Sequence, residues 1–379
     1  MIELKGIAHN IEKSILGRIS HESTLQLKRK DVVLVFDTLP KLLRGYAAVL
    51  IGRKLDEALK NITVPICHNV NNIDSLKDGD VVLIKPDGLI MVLYQIDSGQ
   101  NAIFATEQCN FSCIMCPQDT TKEKDDLTQL NLKLISLFDK KTSNIAITGG
   151  EPTLIGDDLI LLLEQCKKFI PKASITILTN GLRFNDFDYV KKIAAVCHKN
   201  LTIAIPLYAD TDTGHNNIVK TKSFYAIIQG LYNLALFNLK VEIRTVVTAV
   251  NYKRLPMLAE FIYHNTPFVV HVAIMGMETR GLARQNIENI WVDPYDYTAE
   301  LDTAVTYLNQ RWLNVSIYNH QLCLLPKKLW PFAKQSISTW KNIYLEECEV
   351  CCVKKKCCGF FASSKDIHSQ HIRAVINEV

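Results

Sequence analysis

Three thiols stand within eight residues, in the run Cys109-Asn110-Phe111-Ser112-Cys113-Ile114-Met115-Cys116, and give the spacing C-x₃-C-x₂-C. Cysteines this close can hold three irons of a cubane cluster, whereas an electron-transfer cluster normally takes four thiolates. No further cysteine follows until Cys166, so one iron is expected to keep an open position that binds something else. The competing reading is three thiols packed in a core, the usual fate of free cysteine. A second thiol group lies in the tail, where Cys348, Cys351 and Cys357 give C-x₂-C-x₅-C and Cys323 precedes them as a natural fourth ligand. Together these four make a closed site, for which zinc competes because four cysteines also form structural zinc centres. Cys352 and Cys358 adjoin the ligands, so exchanged assignments stay open. The Lys354-Lys355-Lys356 run between them reads as a solvated loop. Cys166 and Cys197 sit in apolar helical patterns and are expected in the core.

Gly149-Gly150-Glu151-Pro152 follows an apolar strand-like run. Two glycines let a backbone approach a ligand closely, and Glu151 can shape the turn through its carboxylate. Other polar residues end strands or lie on them: Asn180, Tyr208, Asp210 and Arg244. The planar fork of Arg244 suits a carboxylate bidentately. Met275-Gly276-Met277 combines apolar side chains with a glycine and could accommodate a flat ring, although a Met stripe is more often core.

In their order and placement, C-x₃-C-x₂-C and GGEP resemble the signature of the radical S-adenosylmethionine (SAM) superfamily. The resemblance implies a [4Fe–4S] cluster on Cys109, Cys113 and Cys116, with SAM chelating the open iron. One electron would then cleave the sulfonium and yield a 5′-deoxyadenosyl radical. It further implies that Gly149, Gly150, Glu151 and Pro152 cradle the amino group of SAM, and that Asn180, Tyr208 and Arg244 hold its ribose and carboxylate. An auxiliary [4Fe–4S] cluster, in preference to zinc, is implied for Cys323, Cys348, Cys351 and Cys357. Residues 205–208, 272–278, 317–326, 336–342 and 357–361 look like the His-Xaa-Ser system radical SAM maturases of the HxsC type. From that likeness follow a ribosomally made precursor peptide with His-Xaa-Ser repeats as substrate, a partner radical SAM maturase, and a reductant of the flavodoxin or ferredoxin type. Cys358 departs from the family pattern, which has a small residue such as glycine there. A radical enzyme acting on a small molecule is the alternative, as is a non-catalytic iron–sulfur or zinc scaffold protein.

Positioning these groups requires a regular frame. Between residues 99 and 311 the pattern alternates strand and helix six times. Strands are expected at 101–107, 144–148, 174–179, 201–207, 241–248 and 269–275. Helices are expected at 126–139, 157–169, 186–198, 224–236, 255–263 and 295–310. Continuous apolar strands covered by helices mark a parallel sheet, here an α/β fold of the open partial (βα)₆ TIM-like barrel type. In such barrels the site lies at the carboxyl ends of the strands, where the cysteine loop falls. Residues 1–98 read as a β-rich N-terminal unit, with a hairpin turn at Lys85-Pro86-Asp87-Gly88. Its exposed strand edges are expected to offer an extended peptide a place for strand addition. His9, His21 and His68 stand alone and read as surface or core residues rather than ligands. Residues 312–379 form the Cys-rich C-terminal domain of the expected division.

Composition sets the outer bounds. The 379 residues carry 43 basic and 39 acidic side chains, a net charge of +4, which gives no argument for a nucleic-acid surface. Hydrophobic residues at 48% can bury a sizeable core, yet no apolar run reaches the length of a membrane span. The opening Met1–Gly6 has no apolar leader, and the thiols cluster as metal sites do rather than as disulfide frameworks. A reducing cytoplasm is the expected compartment.

Overall fold

The computed structural model describes residues 2–22, 26–36, 45–55, 62–123, 125–335 and 343–377. The family-like segment 336–342 lies outside them. The chain divides into two compact units: Met1–Phe104 with Asp126–Ala146 and Asp157–Ser174, and Ala105–Asp125 with Ile147–Gly156 and Ile175–Val379.

The first unit carries β1 (Ile2–Lys5), β2 (Ile7–His9), β3 (Ile15–Ser20), β4 (Val32–Phe36), β5 (Ala48–Ile51), β6 (Ile66–His68), β7 (Val81–Ile84) and β8 (Leu89–Tyr94). Their order is β1-β8-β7-β3-β4-β5-β6-β2. Alternation places Val33 and Val35 of β4, and Ala48 and Leu50 of β5, in one core with Leu4, Ile84 and Ile90. The expected hairpin is present: β7 and β8 pair antiparallel, and Gly88 turns the chain at φ 82° with its N–H on the Lys85 carbonyl (2.9 Å).

The expectation of exposed edges does not hold at the two ends of this sheet. β1 pairs with β8 and β2 with β6, yet only Gly6 separates β1 from β2. One bent segment thus joins both ends, with Gly6 N–H donating to Gly88 O (3.0 Å) and Asn71 N–H to Lys5 O (3.0 Å). A β-carbon at Gly6 would lie 2.6 Å from Cys67 Sγ, so a side chain there would force the closure apart. Of the lone histidines, His21 pairs with Asp78 (2.9 Å), and buried His68 accepts the Leu55 N–H (3.1 Å). The unit also holds β9 (Asn101–Phe104), α1 (Thr128–Ser136) and α2 (Asp158–Phe169). Arg18 of β3 donates through Nε to Leu137 O just beyond α1 (3.0 Å), and Tyr94 stacks on Phe138 with ring centroids 4.6 Å apart.

The larger sheet runs β9, β10 (Asn144–Thr148), β11 (Ser174–Leu178), β12 (Leu201–Pro206), β13 (Lys240–Val246), β14 (His271–Met275), β15 (Val315–Tyr318) and β16 (Ala333–Lys334), each beside the next. From β11 to β16 every pairing is parallel. The six expected strands are all present, and β15 and β16 extend the sheet beyond them. Among the described residues the order ends at β9 and β16 without a closing pair, as in a partial barrel. The helices are α3 (Phe187–Ala195), α4 (Asp212–Val219), α5 (Phe224–Leu236), α6 (Leu255–Asn265), α7 (Gly281–Gln285), α8 (Ile287–Ile290) and α9 (Thr298–Gln310). Thr245, Val272 and Ile274 face α6 and α9, lining one small space with Leu258, Ile262 and Leu308. Strand alternation then turns Glu242, Arg244, His271, Met275, Ser316 and Tyr318 to the opposite, inner face. Cys166 is buried in α2 as expected. Cys197 corrects its expectation: it is exposed past the end of α3, in the left-handed turn (φ 53°) that stops the helix and leads the chain outward. Among the described residues no helix is long and apolar enough to cross a membrane.

Candidate active site

The three-thiol loop is held from several sides by backbone hydrogen bonds. Cys109 N–H donates to Thr121 O (3.2 Å) and Thr121 N–H to Glu107 O (3.0 Å), which ties the loop's base. Ile114 N–H donates to Ile218 O at the end of α4 (3.0 Å), and Asn286 Nδ2 to Ile114 O (2.9 Å). Between the thiols, Phe111 and Met115 are buried as anchors, which leaves Cys109, Cys113 and Cys116 half-buried. Burial, then Cys116 and Cys109, push the Cys113 thiol up to about 12. Cys109 is raised by burial and by nearby Glu151 and Cys116, and Cys116 by burial and Asp119. Three thiols that resist ionisation because they are buried and near one another are a donor set that a bound cation would relieve. Among the described residues, no group of three His, Cys, Asp or Glu is drawn close enough to hold a single metal ion.

The GGEP turn is built against this loop. Gly150 N–H donates to Thr106 O (2.8 Å) and Glu151 N–H to Gln108 O (2.6 Å). A β-carbon would lie 2.4 Å from Thr106 O at Gly149 and 2.1 Å from Gln108 O at Gly150. The close approach these glycines allow is therefore to the backbone leading into Cys109. Glu151 is fully buried, and Oε1 accepts from Thr153 N–H (2.9 Å), Thr153 Oγ1 (2.6 Å) and Thr179 Oγ1 (2.7 Å). Its Oε2 accepts from Asn180 N–H (2.5 Å). Pro152 opens a short 3₁₀ turn that Glu151 caps. Burial pushes the Glu151 carboxyl up, against the pull of these hydrogen bonds. Asn180 Nδ2 reaches Asn110 Oδ1 inside the cysteine loop (2.7 Å). One carboxylate thus organises the turn, the end of β11 and, through Asn180, the loop.

Tyr208 and Arg244 stand nearby. Burial first, then Cys113 and Cys116, raise the Tyr208 phenol, while Arg244 opposes the shift. Arg244 Nη2 contacts Met275 Sδ (3.3 Å), and its Nε lies 3.7 Å from Glu242 Oε1. Asp210 is engaged by an ion pair with Arg254. Gly276 and Met277, with Val247, Asn319 and Phe361, line a cavity at the carboxyl ends of β13–β15 whose lining carries no Asp, Glu, Lys or Arg among the described residues.

The tail thiols separate cleanly. Cys323, Cys348, Cys351 and Cys357 line one cavity, together with Lys354 and Arg373. Cys352 is exposed, and Cys358 lines the neighbouring cavity instead. The neighbouring Cys358 pulls the Cys357 thiol down to about 6 against its burial, while the Cys358 thiol donates to Gly359 O (3.3 Å). Gln321 and Phe360 line both cavities.

One constellation escaped the sequence analysis. On the inner face His271 Nδ1 lies 2.8 Å from Glu242 Oε2, and His271 Nε2 lies 3.0 Å from Ser316 Oγ. The signal was there in ionisable residues at alternate positions of otherwise apolar strands.

A family model described as the Radical SAM superfamily matches residues 103–262. A GTP 3′,8-cyclase of Petrotoga mobilis is 28% identical over 149 residues, 38% of this chain and 45% of that protein. The chain thus spans less than half the length of this curated relative. Among solved structures, SuiB of Streptococcus suis bound to precursor peptide SuiA is 18% identical with a TM-score of 0.49, over 62% of this chain and 51% of that one. A radical SAM methyltransferase from Sphaerobacter thermophilus is 12% identical with a TM-score of 0.44, over 63% and 72%. The matched residues begin in β9, run into α6, and take in the cysteine loop, the GGEP turn, Asn180, Tyr208 and Arg244; over residues 103–262 the chain is similar to the radical SAM superfamily.

Proposed function

We propose that the protein is a radical SAM peptide maturase, which modifies a ribosomally made precursor of the His-Xaa-Ser repeat type. Likeness to the superfamily over residues 103–262 implies a [4Fe–4S] cluster and SAM, and Cys109, Cys113 and Cys116 would hold that cluster. When bound and reduced, this pair supplies a 5′-deoxyadenosyl radical; the protein's part is placement and exclusion of water. In this reading Gly149, Gly150, Glu151 and Pro152 shape the cofactor's seat, and Asn180, Tyr208 and Arg244 contact SAM. Glu151 carries the placement, because its hydrogen bonds connect the turn and, through Asn180, the cysteine loop.

Cys323, Cys348, Cys351 and Cys357 take an auxiliary [4Fe–4S] cluster, supported by their shared cavity. The working division is 1–98 for peptide docking, 99–311 for the radical SAM core and 312–379 for the auxiliary cluster, in a cytoplasmic protein with a partner maturase and a flavodoxin or ferredoxin reductant. The peptide assignment rests on the sequence likeness of residues 205–208, 272–278, 317–326 and 357–361. Similarity to a GTP 3′,8-cyclase supports a small-molecule substrate as the second reading. Among the described residues the cavity at the strand ends has no Lys or Arg to meet a triphosphate, which favours the peptide.

The test is anaerobic incubation with a His-Xaa-Ser repeat peptide, SAM, reductant and the partner maturase, followed by mass spectrometry. A hydrogen-loss or cross-link mass change is expected. An unaltered peptide alongside released 5′-deoxyadenosine would overturn the substrate assignment and leave the superfamily chemistry in place.

A further inference from the structure

We propose that residues 367–375 form a strap that couples the tail thiol site to the cavity at the strand ends, so that metal bound by the thiols orders one wall of that cavity. The inference deepens the proposed function and rests on two parts of it: metal binding by Cys323, Cys348, Cys351 and Cys357, and substrate entering the cavity.

The strap meets both sites in turn. Ile367, His368 and Ser369 line the cavity at the strand ends, and Ile372 and Arg373 line the tail thiol cavity. Ser369 and Ile372 are three residues apart, so at most about 10 Å of extended chain joins the two linings. Between them the strap is pinned. The His371 ring stacks on Tyr295 with centroids 3.9 Å apart, and the Gln370 N–H donates to Oδ2 of buried Asp293 (3.4 Å). Asp293 and Tyr295 flank Pro294, which itself lines the cavity. Beyond the pin, Val375 N–H donates to Cys351 Sγ (3.4 Å), and Val375 O accepts from Cys352 N–H (2.9 Å).

Residues 365–377 form no helix or strand, so contacts of this kind set the strap's course. A segment without a ladder of backbone bonds opens locally at low cost, and its order follows what holds its ends. The far end is held by groups that respond to charge. A protonated thiol is a weak acceptor for the Val375 N–H. Four thiolates around a metal carry net negative charge, and the same bond then becomes charge-assisted and about twice as strong. Lys354 and Arg373 line that cavity and are attracted to the same charge. Loading therefore draws the Arg373 end of the strap onto the site, and Ser369 and His368 lose freedom at the neighbouring wall.

A second route joins the two cavities. Gln321 and Phe360 line both, and the Phe360 ring meets the His368 ring edge-on at 5.7 Å. The stack on Tyr295 belongs to the strap alone, so removing it separates the two routes. The coupling is reciprocal: substrate in the cavity raises the metal affinity of the tail thiols by the factor that metal raises the affinity for substrate.

The test uses the full chain carrying Cys109→Ala, Cys113→Ala and Cys116→Ala, so that the three-thiol loop takes no metal. Iron with sulfide, or zinc, is added anaerobically and the bound metal is counted. On loading, hydrogen–deuterium exchange should slow about tenfold at Val375 and also at Gln370, the amide anchored on Asp293. With His371→Ala added, loading should still slow Val375 and no longer slow Gln370. A His-Xaa-Ser repeat peptide should bind the loaded chain about tenfold more tightly than the metal-free one, and the His371→Ala chain equally in both forms. Protection confined to Val375 would overturn the strap. A Gln370 response that survives His371→Ala would overturn it too, and would assign the coupling to Gln321 and Phe360. A chain that takes up neither metal would overturn the tail-site reading and the strap with it. Peptide bound by neither form would sink the substrate assignment, while exchange at Gln370 would still decide the strap.

Discussion

Glu151→Gln is the perturbation that most directly probes how the site is assembled. The carboxylate accepts four hydrogen bonds while fully buried. Glutamine keeps one acceptor oxygen and replaces the other with an amide donor. With its oxygen at the Oε1 position, three bonds survive and the NH₂ group faces the Asn180 N–H. Losing that charge-assisted bond costs about 1.5–3 kcal/mol, and stranding a buried N–H adds about 1–3 kcal/mol. Removing a buried charge offsets part of this, since burial pushes the Glu151 carboxyl up. The net expectation is a loss of about 2–4 kcal/mol. Because Asn180 also holds Asn110, the damage should reach the cysteine loop. Anaerobic urea unfolding reads the stability, and iron bound at the three-thiol site after reconstitution reads the loop. A variant within about 0.5 kcal/mol of the parent, loading iron normally, would refute this account of the turn.

Gly150→Ala should also impair iron loading, because its β-carbon would sit 2.1 Å from Gln108 O, whereas Gly99→Ala meets nothing within 4 Å and should be silent. Equal behaviour of the two in iron analysis would contradict the steric argument. In a chain lacking the Cys109, Cys113 and Cys116 thiols, Cys323→Ala should remove the residual iron and Cys352→Ala should not; zinc in place of that iron would refute the auxiliary cluster. His215 and His320 are both depressed from 6.5 to about 4 by burial. Between those values the unfolded chain binds protons that the folded chain refuses, so stability should fall on acidification through that window. The upper bound is about 3 kcal/mol per histidine, and unfolding free energies unchanged from pH 7 to pH 4.5 would contradict it.

Much of this was legible in the residues. The six central strands and their helices follow from apolar runs that need cover on both faces, and the main deviations are at ends, where fraying blurs boundaries. β15 and β16 escaped because four and two residues carry too little pattern, and α4 because Asp212–Val219 is mostly polar. The closure through Gly6 depends on which distant strands accept each half of an eight-residue segment, and local propensity does not encode that pairing. Cys351 and Cys357 could not be told from their neighbours by spacing; the cavity separates them. Glu242, His271 and Ser316 lie on three strands, and only parallel register unites them.

The central claim is that Cys109, Cys113 and Cys116 hold the cluster on which SAM is cleaved. Its most direct test is reductive release of 5′-deoxyadenosine by the anaerobically reconstituted protein, measured beside Cys113→Ala. Release by the parent and none by the variant is the predicted result. Undiminished release by Cys113→Ala would contradict the claim.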